Sequence, residues 1–156
     1  MSSSVIDHCK RYASNLTAVL ENQDWNNVEA LAHDIYRAWV DGKNLFLCGN
    51  GGSAGNAIHL ANDFLYGVGQ DLVPGIKVEA LSANPSVLTC LANDIGYDEI
   101  YSTQLAAKAS TGDVLVILSG SGNSPNVIKA LEKGHQLGME TYAILGYSGG
   151  VCLDLA

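Results

Sequence analysis

Two short runs carry residue types suited to holding an anion: Gly49-Asn-Gly-Gly-Ser53 and Ser119-Gly-Ser-Gly-Asn-Ser124. Glycine lets a backbone approach a ligand closely, and serine hydroxyls and asparagine amides can donate to its oxygens. Each run precedes a segment of helical periodicity, so backbone N–H groups and the positive end of a helix dipole converge on one spot. Phosphate or carboxylate binding is the chemistry that follows. In the second run Ser124 is placed to cap the helix and Pro125 to open it, where its missing N–H costs nothing. The two cradles are expected to face one ligand. Between them, His59 and Asp63 stand four apart in a helical segment, hence on one face of it.

The elements that must position these groups alternate. A short apolar run at Leu45–Cys48 reads as the first strand, and Ala54 to about Tyr66 as the helix after its loop. Gly67 to Gly75 is a connector. Lys77–Leu81 is a second strand, and Asn84-Pro85 caps and opens a helix that reaches Asn93. After a break at Asn93–Tyr97, helical register resumes over Asp98–Ala109. A third strand at Val114–Leu118, a helix over Pro125–Leu137 closed by Gly138, and a fourth strand at Thr141–Leu145 complete the pattern. Strands alternating with helices imply an α/β fold with a parallel sheet covered on both faces. Ligands of such sheets sit beyond the carboxyl ends of the strands, where both loops fall.

Two amphipathic helices precede the first strand. Val5, Ile6, Cys9, Tyr12, Leu16, Val19 and Leu20 form the stripe of one, and Val28, Leu31, Ile35, Ala38 and Trp39 that of the other, with Asp24 as its cap. They are expected to pack on the sheet or in a helical bundle between subunits. At the other end, Gly146-Tyr-Ser-Gly-Gly150 reads as a further strand-to-helix loop and Val151–Ala156 as the first turns of a helix. A further strand and helix are expected beyond them.

Composition limits the function. The chain has 156 residues, 47% of them hydrophobic, enough for one domain with a real core. A formal net charge of −8, with no Lys/Arg cluster, argues against a nucleic-acid partner. It also requires that any phosphate be held locally by N–H and O–H groups. No apolar run is long enough to span a membrane and no signal peptide is evident, so a cytosolic location is expected. Cys9, Cys48, Cys90 and Cys152 form no C-x-x-C pair and are expected to be reduced thiols.

Three separated motifs, Gly49–Ser53 with His59, Leu91-Ala-Asn-Asp-Ile-Gly-Tyr97, and Ser119–Pro125, together resemble a sugar isomerase (SIS) domain over nearly the whole chain. The similarity is greatest to the phosphoheptose isomerase branch, the sedoheptulose 7-phosphate isomerases of lipopolysaccharide heptose synthesis. It implies a three-layer, flavodoxin-like doubly wound sheet of five parallel strands with two leading helices. Residues 1–156 then form a single SIS domain lacking its C-terminal strand and helix. It further implies a homotetramer with active sites at subunit interfaces and a phosphorylated sugar as ligand. Asn50, Gly51, Gly52 and Ser53 would line the sugar-phosphate site, Asn93 and Asp94 would contact substrate, and Ser119, Gly120, Ser121 and Ser124 would bind the phosphate. Gly120 stands where the family often has threonine, which removes a hydroxyl and keeps the backbone donor.

The resemblance also implies an enediol mechanism, with a carboxylate base at position 63. The family has glutamate there. Asp63 is shorter by one methylene, about 1.5 Å of reach. The partner histidine of the family falls beyond Ala156. His59 matches a zinc ligand of the metal-containing members, and with Asp63 makes half a site, since zinc takes three or four ligands. No cofactor is required for the chemistry.

Two rival readings are open to the same residues. Gly49-x-Gly51-x-x-Ala54 approximates a dinucleotide fingerprint, but the third glycine is alanine and Leu81-Ser82 stands where an acidic residue should hold the ribose. A non-catalytic SIS protein, a sugar-phosphate sensor or an assembly factor like those that associate with the replication initiator, is the other.

Overall fold

The first strand and its neighbours form where β-branched and aliphatic residues run without interruption. In the computed structural model, which describes residues 4–67 and 75–156, β1 (Asn44–Gly49) and β3 (Val114–Ser119) are buried along nearly their whole length. Burial at successive positions means that both faces of these strands are covered. With β2 (Lys77–Ala80) and β4 (Glu140–Leu145) they make a four-stranded, all-parallel sheet in the order β2-β1-β3-β4. The fifth strand implied by the family resemblance is not among the described residues. The expected connector at 67–75 lies largely outside them.

The order matters for function. From β1 the chain moves first to one side, to β2, and then to the other, to β3. The direction of winding therefore reverses between β1 and β3, and in open parallel sheets that switch point is where ligands bind.

α1 (Val5–Glu21) and α2 (Asn26–Val40) precede the sheet, α3 (Gly52–Asn62), α4 (Pro85–Asp94), α5 (Ser102–Lys108) and α6 (Pro125–Leu137) lie between its strands, and α7 (Cys152–Leu155) follows β4. Several limits differ from the sequence reading. α3 ends early because Asp63–Gly67 winds as a π-helical turn, and Tyr97–Glu99 is a 3-10 turn ahead of a shorter α5. Both changes alter the hydrogen-bond step without altering the apolar periodicity, so the pattern of residues alone does not register them.

The chain divides into two compact units, residues 1–32 and 33–156. In the first, α1 opens with a capping box: Ser4 Oγ accepts from Asp7 N at 3.1 Å, and Asp7 Oδ2 accepts from Ser4 N at 3.3 Å. Asp24 Oδ1 accepts from Asn26 N at the start of α2, as its expected capping role requires. The apolar stripe of α1 is exposed, and none of its residues is buried.

In the second unit Phe46, Cys48, Leu115 and Ile117 of the sheet share a core cluster with Ile100, Tyr101 and Leu105, with Val127, Ala130 and Leu131 of α6, and with Cys152. The end of the sheet opposite the switch point is tied by Asp113, fully buried. Its carboxylate accepts from Asn44 N and Ser110 N, each at 2.8 Å, joining the starts of β1 and β3. Among the described residues, all four cysteines are free thiols, Cys48 and Cys152 buried and Cys9 and Cys90 exposed. Burial, and then the neighbouring Cys152, push the Cys48 thiol far up.

Candidate functional site at the β1/β3 switch point

β1 and β3 are paired up to their carboxyl ends, with Gly49 beside Leu118. The two Gly/Ser loops therefore begin side by side. Gly49 is needed for this, since a Cβ there would lie 2.6 Å from the Leu118 carbonyl oxygen. Gly51, at φ 55 and ψ −119, turns the chain into α3 through a conformation that residues with side chains rarely adopt. In the second loop Gly122 (φ 64) lies against the backbone of Gly149, and Cys152 N donates to Gly122 O at 3.0 Å. The loop after β4 thus braces the loop after β3.

α3 and α6 start at this point, and neither has a side-chain cap. Two other helices, α1 and α4, carry side-chain caps. Asn84 Oδ1 accepts from Ser86 N and Val87 N at the start of α4, and Ser4 serves α1. Ser124 occupies the cap position of α6 as expected, but its hydroxyl makes no capping hydrogen bond. That corrects the capping expectation, and an uncapped helix start is suited to receive an anion. Ser119 Oγ accepts from Gly122 N at 3.0 Å and Ser121 Oγ from Asn123 N at 3.3 Å. With a loop N–H on each oxygen, each hydroxyl still has its own proton to donate.

Asn50 joins the two loops. Its Nδ2 donates to Asn126 Oδ1 at 2.8 Å, and Asn126 Nδ2 donates back to Asn50 Oδ1 at 2.8 Å. Tyr97 Oη donates to the same Asn50 oxygen at 3.1 Å, and Tyr101 Oη donates to the Gly49 carbonyl. Burial raises the Tyr101 hydroxyl pKa, so it remains a donor. The segment bearing Tyr97 is clamped to α6 by Lys129, whose Nζ lies 2.7 Å from Glu99 Oε1. This contact, with the Ser102 hydroxyl, holds the Glu99 carboxyl below its ordinary range.

Asn126, Tyr97 and Tyr101 were not singled out in the sequence. Tyr97 lies within the Leu91–Tyr97 motif, and a polar residue just inside an apolar helix face is the one signal that Asn126 gives. Of the residues that were, Asn50, Gly51, Gly52, Ser53, Ser119, Gly120, Ser121 and Ser124 lie on the two adjoining loops. Asn93 and Asp94 end α4 and are linked by a 2.8 Å hydrogen bond, and Tyr97 shortly after them reaches Asn50.

Asp63 stands apart from the loops. It follows α3, eleven residues beyond Gly52 and about 16 Å along the helix axis. Its carboxylate lies 3.4 Å from His59 Nε2, confirming that the pair shares a face, with side chains 39% and 76% exposed. Among the described residues no group of three His, Cys, Asp or Glu is arranged to hold a metal. The pair supplies two donors of the three or four that zinc takes.

The residues from 8 to 146 match the model of the SIS domain. The chain belongs to the SIS-domain family, on its phosphoheptose isomerase branch. It is 41% identical over 143 residues to a phosphoheptose isomerase of Chlorobaculum parvum, covering 89% of this chain and 67% of that one. The chain spans about two thirds of the length of such curated relatives. The phosphoheptose isomerase structure from Neisseria gonorrhoeae superposes with a TM-score of 0.85 at 32% identity, over 96% of this chain and 77% of that one. That from Francisella tularensis gives 0.88 at 26% identity, over 99% and 81%. This SIS domain therefore presents its two uncapped helix starts, bridged by Asn50 and Asn126, at the switch point of its sheet.

Proposed function

We propose that the chain isomerises a phosphorylated sugar between ketose and aldose, with sedoheptulose 7-phosphate or a similar sugar phosphate as substrate. The observation that carries this is the pair of uncapped Gly/Ser loops held side by side at the β1/β3 switch point. Ser119, Gly120, Ser121 and Ser124 hold the phosphate through hydroxyls and the α6 N-terminus. Asn50, Gly51, Gly52 and Ser53 bind the sugar-phosphate from the neighbouring strand, with Asn93 and Asp94 as further contacts. The similarity to proteins named phosphoheptose isomerase supports the choice of sugar.

In the reaction a base takes a proton from C1 of the ketose, and the electrons of that bond form a C1–C2 double bond while the C2 oxygen gains a proton. Return of a proton to C2 and loss of the C1 hydroxyl proton leave the aldose. Hydrogen and electrons balance within the sugar, so no redox cofactor enters. Asp63 is the base. Its distance along α3 from the Gly49–Ser53 loop fits a site completed between subunits, as in the homotetramer that the family resemblance implies. The exposed apolar stripe of α1 is a surface such an assembly would cover. His59 orients Asp63, and no step depends on zinc. The setting is the cytosol.

The test is solvent deuterium incorporation into sedoheptulose 7-phosphate, followed by NMR, for the protein and for Asp63→Ala. Exchange in the first, lost in the second, is the expected result. Binding of the sugar phosphate without exchange would replace the isomerase by a sensor or assembly factor.

A further inference from the structure

The Asn50 amide has a fixed number of hydrogen-bonding positions, and the structure uses nearly all of them. Its oxygen has two lone pairs. One accepts Asn126 Nδ2 at 2.8 Å and the other accepts the Tyr97 hydroxyl at 3.1 Å. Tyr101 approaches the same oxygen to 3.5 Å, but its single proton goes to the Gly49 carbonyl. The amide nitrogen has two protons, of which one goes to Asn126 Oδ1 at 2.8 Å. What remains is one N–H. Toward a ligand, Asn50 is a donor and cannot accept.

The same contacts hold the amide plane in place. Asn126 is 1% exposed, so its half of the reciprocal pair has no water to exchange with. Tyr101 also fixes the peptide plane before Asn50. With the Gly49 carbonyl directed at that phenol, the trans peptide directs the Asn50 backbone N–H the opposite way.

We propose that Asn126 and Tyr97 are positioning residues that hold Asn50 as an obligate hydrogen-bond donor to an oxygen of the sugar, while the serine loop serves the phosphate. The proposal rests on the sugar-phosphate reading of this site and extends it to Asn126, outside the motifs, and to Tyr97, the last residue of one of them. Three segments meet at this one amide: the loop after β1, the start of α6, and the turn after α4. A donor so fixed favours a carbonyl or hydroxyl oxygen that accepts, and disfavours a ligand group that offers only a proton.

The experiment titrates the protein and its Tyr97→Phe variant with sedoheptulose 7-phosphate and, separately, with inorganic phosphate. In parallel, the Asn50 side-chain amide resonances are followed by nitrogen-15 NMR, assigned through Asn50→Ser. Tyr97 is 57% exposed, so its loss leaves the fold intact. The expected result is a sugar-phosphate affinity lowered on the order of tenfold in Tyr97→Phe, equivalent to one hydrogen bond, with inorganic phosphate unaffected. In the unaltered protein one of the two Asn50 amide protons shifts on adding the sugar phosphate.

Equal loss of both ligands would assign Tyr97 a general structural role and overturn the proposal. An Asn50 amide that does not respond to the sugar phosphate would also overturn it, whether or not the protein turns over. Neither readout requires catalysis. A protein that shows no deuterium exchange but the expected Asn50 response refutes the isomerase and upholds the donor.

Discussion

Replacing Gly122 with alanine would place a methyl group 1.8 Å from the Gly149 carbonyl oxygen and 2.7 Å from its carbon. The obstacle is backbone, so no side chain can swing away, and the loops after β3 and β4 must separate. Two hydrogen bonds lace them here: Cys152 N to Gly122 O and Val151 N to Asn123 Oδ1, both 3.0 Å. Losing them costs about 1 kcal/mol each. Holding an alanine at the left-handed φ of 64 adds about 1–2 kcal/mol. The sum is about 3–4 kcal/mol, which lowers the Tm of a chain this size by roughly 10 °C. Because Ser119 Oγ is held by Gly122 N, the displaced loop also loses affinity for inorganic phosphate. Urea denaturation at unchanged m-value measures the first effect and isothermal titration the second. Gly120→Ala is the control. Its added Cβ meets nothing nearer than the Tyr147 ring at 3.9 Å, and stability should change by less than about 0.5 kcal/mol. If Gly122→Ala were as stable as the parent, or no worse than Gly120→Ala, the bracing of the Ser119–Ser124 loop by the β4 loop would be wrong.

Two further outcomes separate folding from binding. Asn84→Ala removes a cap that accepts two backbone N–H groups and should cost about 1 kcal/mol in a thermal melt, whereas Ser124→Ala, which removes no cap bond, should cost less than about 0.5 kcal/mol yet weaken phosphate binding in a titration. Asp113→Ala leaves Asn44 N and Ser110 N without their buried acceptor and should cost about 3 kcal/mol in urea, while phosphate affinity of the folded fraction stays unchanged.

The two Gly/Ser loops were legible in the sequence because strand, glycine loop and helix start are local features. Apolar runs at 45–48 and 114–118 became strands 44–49 and 114–119. Pro125 and Gly138 set the ends of α6, the latter in the left-handed conformation at φ 70. The covered parallel sheet followed from the alternation of elements, and the SIS resemblance from three motifs in order.

Other features depend on contacts between residues far apart in the chain. That β1 and β3 are neighbours, and so bring their loops to one switch point, is a matter of strand order, which no local periodicity encodes. The Asn50–Asn126 pair joins residues 76 apart, and Tyr97 and Tyr101 reach the first loop from about 50 residues away. Ser124 carries every local mark of a cap, yet its hydroxyl is left unused for capping. The π-helical turn that begins at Asp63 and the left-handed backbone of Tyr147 likewise have no signal in the residue pattern. Side-chain type and spacing establish which groups can donate to an anion. Which of their protons remain available is decided only when the tertiary partners have taken the rest.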